Sequence, residues 1–223
     1  MRLEDLLRLR PFVYHLTAAS NVASIVRAGQ LEATGRLFER AGRADDARLR
    51  SRRPAALSLD IAGEPIAIRD QKPLHERCIA FEPGWDMARL VERLNALVFF
   101  WPGTERGPIR PGQGHFELYQ GQGEELRVLQ IPTAALLAAN APRAPLLSRC
   151  NSGAPSRFQK PGAPRGGGTF VPVERAGFTP AQAVELVFEG SARLPPETLA
   201  GPTPQGPWRS LARRAGSSRS ERA

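Results

Sequence analysis

The stretch WDMARLVERLNALVFFW, Trp85 to Trp101, constrains the fold more than any other part of the chain. Met87, Leu90, Val91 and Leu94 recur at helical spacing and make one apolar stripe. Leu97 to Trp101 is then apolar without a break, the pattern of a strand buried on both faces. An amphipathic helix feeding directly into a buried strand belongs to a domain in which helices pack on a sheet. Pro102-Gly103 reads as the turn that closes the strand.

Other segments fit that frame. Residues 3–10 predict a short helix, and Phe12 to Thr17 a strand. Val22, Ile25 and Val26 follow at helical spacing; Ser20 or Asn21 can cap that helix and Gly29 stops it. Residues 35–56 are charged and partly helical, and predict a solvated, mobile segment. ALSLD and IAIRDQKPL predict an irregular excursion with little strand, and TERGPIRPGQGH a loop. Leu126 to Ile131 predicts a strand, with a helix starting at Thr133, and APLLSRCNSGAP a strand ending in a polar turn. A Gly/Pro/Arg-rich loop over residues 156–178 leads to a last strand around AVELVF. Gly166–Gly168 within the loop is a lone glycine run, a weak signal for a phosphate cradle.

The expectation is one α+β domain over residues 1–200, with several short strands and two or three small helices. Residues 201–223 form a Pro/Gly/Ser/Arg-rich tail, and 203–223 are too poor in apolar residues to offset the entropy of ordering.

Composition narrows the function classes. The 31 Lys and Arg exceed the 22 Asp and Glu, for a formal charge of +9, and all but Lys72 and Lys160 of the cations are arginine. GC-rich codon usage is the plain explanation; a polyanion partner such as nucleic acid is the functional one. Cys78 and Cys150 stand far apart, and no CxxC or HExxH pattern offers a zinc site. MRLEDLLRLR is charged throughout, unlike a signal peptide, and no apolar run nears the ~20 residues of a membrane span. A reduced, cytoplasmic protein that does not enter membranes is expected.

A few side chains stand out, each with a plain alternative. His15 and Thr17 lie two apart at the end of the first strand and point to one face, so both can hydrogen-bond one ligand; a packed histidine is the plain reading. Glu185 interrupts an apolar strand, which is costly unless the carboxylate is paired or reached by solvent; a wet strand face would suffice. Arg106 follows the VFFW strand, and a guanidinium fork matches phosphate oxygens; a solvated arginine is the commoner case. Arg69, Asp70 and Gln71 form either a salt-bridged turn or a set that orients a substrate base.

Taken in chain order, these pieces resemble a family. VYHLTAASNVASIVRAGQL is similar to the start of the DarT-type DNA ADP-ribosyltransferase toxins, where a strand ending in His-x-Thr precedes Asn, a helix and Gly-x-Leu. NALVFFWPGTER is similar to their second strand and its arginine loop, and AQAVELVF to the strand that presents their catalytic glutamate. Here Gly-Thr-Glu separates the Trp-Pro turn from Arg106. IRDQKPL, RLNALVFFW, CNSGAP and GTFVPV more closely resemble an uncharacterised bacterial family of the same layout, from about Tyr14 to Glu189.

The resemblance implies an ADP-ribosyltransferase-like fold: two small bent β-sheets, a dinucleotide cleft between them, and short flanking helices. It implies NAD as co-substrate. His15, the Leu16 backbone, Thr17 and Asn21 would hold the cofactor, with Arg106 and Glu185 catalytic. Arg69, Asp70, Gln71 and Trp101 would meet the substrate. It further implies a nucleic-acid base as acceptor, in a toxin or phage-defence effector, with an antitoxin protein as a second partner. Two alternatives stay open: a glycohydrolase or transferase acting on protein or small molecules, and a nucleotide- or RNA-binding module without catalysis.

Overall fold

A computed structural model of the chain describes residues 1–155 and 162–211. The first half forms α1 (Leu3–Leu9), β1 (Phe12–Ala18), α2 (Val22–Ala28), β2 (Gln30–Glu32), α3 (Thr34–Arg40), β3 (Leu57–Ile61), β4 (Glu64–Ile68), α4 (Met87–Asn95), β5 (Leu97–Thr104) and β6 (Gly107–Pro108). Then come α5 (Arg110–Tyr119), β7 (Leu126–Pro132), α6 (Thr133–Asn140), β8 (Leu146–Ser148), β9 (Val171–Pro172), β10 (Glu185–Glu189), β11 (Ser191–Arg193), β12 (Leu199–Gly201) and β13 (Arg209–Ser210).

The architecture is mixed α+β with antiparallel sheets. Among the described residues nine strands form one sheet in the order β13-β12-β7-β1-β5-β10-β8-β9, with β6 folded back on β5; β2 pairs with β11, and β3 with β4, as separate ribbons. Both faces of the large sheet are covered. Val13, Phe100, Leu129, Ile131, Leu186 and Phe188 point to one face and share a core with Leu136 of α6. Residues of opposite parity point to the other: Tyr14, Leu16, Leu126 and Val128 meet Phe116 and Tyr119 of α5, and Leu97 and Val187 meet Leu90, Val91 and Leu94 of α4. This two-residue period is what buries a strand on both sides.

Two bent sheets facing one another were expected; here the strands form one continuous path with a fork in it. β5 changes partner midway. Leu97–Phe100 pair with β10, through Phe100↔Leu186 to Leu97↔Glu189. Past that point Trp101–Gly103 pair with β1, ending at Tyr14↔Trp101. β1 continues to Ala18 paired only with β7. Beyond Tyr14 and Trp101, β1 and β5 therefore diverge and leave a notch in the sheet.

Several sequence expectations need correction. Pro102-Gly103 does not turn but continues β5; the turn comes at Glu105-Arg106, before β6. A Cβ on Gly103 would meet the Tyr14 ring at 2.7 Å, so glycine is what lets β6 fold back here. The stretch read as a loop holds α5. Its Pro111 sits in the first turn, where the missing N–H costs nothing. Gly112 and Gly114 lower its propensity, but burial of Phe116 and Tyr119 overrides that. The excursion read as mostly irregular is the β3–β4 ribbon, whose Leu59, Ile61, Ile66 and Ile68 close a small core on Phe38 of α3. Phe38 and Arg53 are buried, so residues 35–56 are not wholly solvated.

The expected tail begins later than residue 201. β12 adds to β7, β13 adds to β12, and the Trp208 ring lies 6.2 Å from that of Tyr14. One large aromatic and edge-strand hydrogen bonds hold a segment whose composition alone argued against order. The rest of that tail, 212–223, and residues 156–161 of the long loop lie outside the described residues.

The glycine run has an internal partner. Gly168 N–H donates to the Glu82 carboxylate at 3.2 and 3.3 Å, and a Cβ on Gly166 would collide with that side chain. The run that gave only a weak signal for a phosphate cradle holds a carboxylate of the same chain.

Candidate functional site

The notch between β1 and β5 opens into a cavity of about 300 Å³. It is bounded by β1, by Leu97, Phe99 and Trp101 of β5, by the β3–β4 ribbon, by His115 and Tyr119 of α5, and by Asn151–Gly153 after β8. Its size is at the lower end of the range for small-molecule sites.

His15, Leu16, Thr17, Asn21, Arg69, Asp70, Gln71, Trp101 and Glu185 all line this cavity. Arg106 does not. It is exposed on the β5–β6 turn, and β5 runs three residues past Trp101 before that turn, about 10 Å at the usual rise per strand residue. Arg106, expected to be catalytic, therefore lies outside this cavity. Among the described residues the cavity's cations are Arg40, Arg53 and Arg69.

His15 sits in the fork, where its Nδ1 meets the Phe99 carbonyl at 2.9 Å across the gap. That contact makes Nδ1 the protonated nitrogen of a neutral ring. Burial pushes its pKa down to about 4, against the opposing pull of the Phe99 carbonyl. His115 is also neutral, lowered to about 3 by burial and by the nearby Arg69 charge.

Arg69 ends the ribbon. Its Nη2 donates to the Leu16 carbonyl at 3.0 Å, and its guanidinium lies 4.8 Å from the centre of the Tyr119 ring. The Tyr119 hydroxyl donates to Asp70 Oδ1 at 2.7 Å, and Lys72 pairs with the same carboxylate. Tilted ring contacts run onward from Tyr119 to His115 at 5.0 Å and from His115 to Trp101 at 4.7 Å. A Cβ on Gly112 would meet the Trp101 ring at 2.7 Å, so that glycine lets α5 lie against the indole. Arg53, 4 % exposed, donates to Asn95 Oδ1 at 2.8 Å; burial lowers its pKa to about 10, which leaves it charged.

Asn21 also ties two elements together. Its amide donates to the Ala67 carbonyl at 2.9 Å and accepts from the Ala67 N–H at 2.8 Å. It mimics a strand residue and pins β4 to the start of α2.

Glu185 opens β10 and is 3 % exposed. Its Oε1 accepts from the Ser152 N–H at 3.0 Å; its Oε2 has no partner among the described residues. Burial raises its pKa to about 7, with the Ser152 contact and the Arg165 charge opposing. Three further buried polar atoms of cavity-lining residues are unpartnered among the described residues: Arg69 Nη1, Trp101 Nε1 and Ser152 Oγ. Each such atom costs about 1–3 kcal/mol unless something meets it. Their gathering on the walls of one cavity suits a ligand with both donors and acceptors.

Sequence reasoning missed Ser152, Arg53, His115 and Tyr119. His115 carried a signal, as one of only three histidines. Ser152 carried a weaker one in the CNSGAP turn, while Arg53 lies in the segment read as solvated and Tyr119 in a stretch given no reading.

Fold and site define an α+β protein with a cavity at a fork in its antiparallel sheet, its walls mostly apolar and set with several polar groups. The chain belongs to a family of unknown function, DUF7002, whose model matches residues 11–193. No curated protein matches the chain at a significant level. Among the described residues no helix is long and apolar enough to cross a membrane, and no cluster of His, Cys, Asp and Glu could hold a metal ion.

Proposed function

We propose that the protein is an NAD-consuming ADP-ribosyltransferase whose acceptor is a nucleic-acid base. One observation carries the reading: a buried carboxylate, Glu185, with one oxygen unpaired among the described residues, shares a sheet-fork cavity with His15 and Arg69. NAD presents ribose hydroxyls and amide groups for such walls, and a pyrophosphate for an arginine. Arg69, with one Nη free of protein partners among the described residues, takes the role first given to Arg106.

In the reaction, the nicotinamide–ribose bond breaks and its electron pair leaves with nicotinamide. The acceptor atom bonds to the anomeric carbon and gives up a proton. Glu185 as carboxylate stabilises the positive charge that develops on the ribose and accepts that proton. His15, neutral and fixed on the Phe99 carbonyl, positions the ring end of the ligand. The net charge of +9 favours a polyanionic acceptor, and an antitoxin partner belongs to the same reading. The position of Arg106 outside the cavity favours a second reading, binding of NAD without transfer.

The test is NAD titration by calorimetry, followed by nicotinamide release with and without DNA, RNA or protein. Glu185→Gln should bind NAD within a few-fold of the parent and lose roughly 10²-fold or more in release rate. The parent's rate should rise with pH through about 7, as Glu185 ionises. Binding with no release under any acceptor supports the second reading; no binding at all removes both.

A further inference from the structure

Arg165 is a buried cation outside the cavity wall, and the mechanism above does not use it. It is 7 % exposed. Its backbone is clipped to a distant segment: Arg165 N–H donates to the Ala80 carbonyl at 2.8 Å, and Glu82 N–H to the Arg165 carbonyl at 2.9 Å. From this fixed point its Nη2 donates to the Asn151 carbonyl at 3.0 Å and its Nη1 to Ala163 at 3.3 Å. The next residue after Asn151 is Ser152, whose N–H holds Glu185 Oε1. A guanidinium, a turn and a carboxylate thus form one chain of contacts.

We propose that Arg165 is a positioning residue for Glu185, acting through the Asn151–Gly153 turn. This rests on the reading of Glu185 as the catalytic carboxylate. The physical ground is that, among the described residues, Ser152 N–H hydrogen-bonds the carboxylate, and an Asn151 carbonyl without its partner lets that N–H swing. The Arg165 charge also acts directly on Glu185 and favours its ionised form. Among the described residues the Cys150 thiol also interacts with Glu185, and burial keeps it protonated; His15 and Arg69 share the cavity with the carboxylate.

The experiment is carboxyl and amide NMR on the full chain, with Glu185→Gln to assign the Glu185 signal. In the parent, the Ser152 amide and the Arg165 guanidinium should both shift with the Glu185 midpoint. In Arg165→Gln that midpoint should move to higher pH and the Ser152 amide should lose its hydrogen-bonded shift. Arg165→Lys, which keeps the charge but not the fork, should hold the midpoint closer to the parent while still moving the Ser152 amide. If the parent catalyses NAD turnover, Arg165→Gln should lose about tenfold or more in kcat with little change in KM. An Arg165 signal that stays flat while Glu185 titrates in the parent overturns the proposal without any variant. So does a folded Arg165→Gln in which the Glu185 midpoint and the Ser152 amide are both unchanged. The NMR readout needs no turnover. Coupled titrations in a protein that never consumes NAD would uphold the positioning role and remove the proposed function.

Discussion

At the scale of single residues, burial sets the charge states in the cavity, and these can be read as stability. Glu185 keeps its proton to about 7 in the folded chain, against an ordinary 4.5. The folded state then binds more protons than the unfolded state between those values, so this group's contribution to stability is full below about 4.5 and is lost as pH rises through 7. Glu185→Gln removes that loss. Its thermal midpoint should exceed the parent's at pH 8 and show no such gain at pH 4; equal gains at both would sink the burial argument. His15 and His115 act with the opposite sign. Their folded values, about 4 and about 3, lie below the ordinary 6.5. The unfolded chain takes up protons that the folded chain refuses, so stability falls as pH drops below 6.5. Melting curves of His115→Gln should fall less steeply between pH 6 and 4 than those of the parent.

At the scale of elements, the cavity depends on two attachments that are not in the large sheet. α5 lies on Trp101 through Gly112, whose added Cβ would sit 2.7 Å from the indole. Gly112→Ala should push α5 and its His115 and Tyr119 outward and cost roughly 1–3 kcal/mol in denaturant unfolding, as overpacking does. An unchanged midpoint would mean that α5 shifts freely. The β3–β4 ribbon is pinned by Asn21 to the Ala67 backbone. In Asn21→Ala, hydrogen exchange at the Ala67 amide should speed up well before exchange in β1 or β7 does; equal protection would show that the ribbon is held by its own small core.

At the scale of the whole molecule, the sheet is one antiparallel path whose far edge, β12 and β13, is supplied by residues beyond 198. Trp208 covers Tyr14, and the Tyr14 hydroxyl is held by Gln130 of β7 at 2.8 Å and by the Thr104 carbonyl of β5. That places the aromatic pair next to the apex of the fork. Trp208→Ala should lower global stability by about 1–3 kcal/mol and loosen ligand binding with it. A variant with full stability would leave residues 203–211 as a passive edge.

The sequence by itself determined β1, α2, α4, β7, α6 and β10, because each carries its own period or cap: Gly29 ends α2 at a φ of 62°, and Met87 to Leu94 keep one stripe. It also singled out His15, Arg69, Trp101 and Glu185, since a polar or aromatic group at a strand end or beside a turn is visible without a partner. Tertiary structure decided what depended on distant residues. Arg106 moved out because Gly103 lets β5 run on against Tyr14, and Pro102-Gly103 alone cannot say whether a strand stops there. α5 formed against its glycines because Trp101 and a buried face were waiting for it. Asn21 became a clamp because Ala67, 46 residues away, offers both backbone groups to its amide. The fork itself belongs to no single strand. It arises where β5 leaves β10 for β1, and only the pairing of three strands can make it.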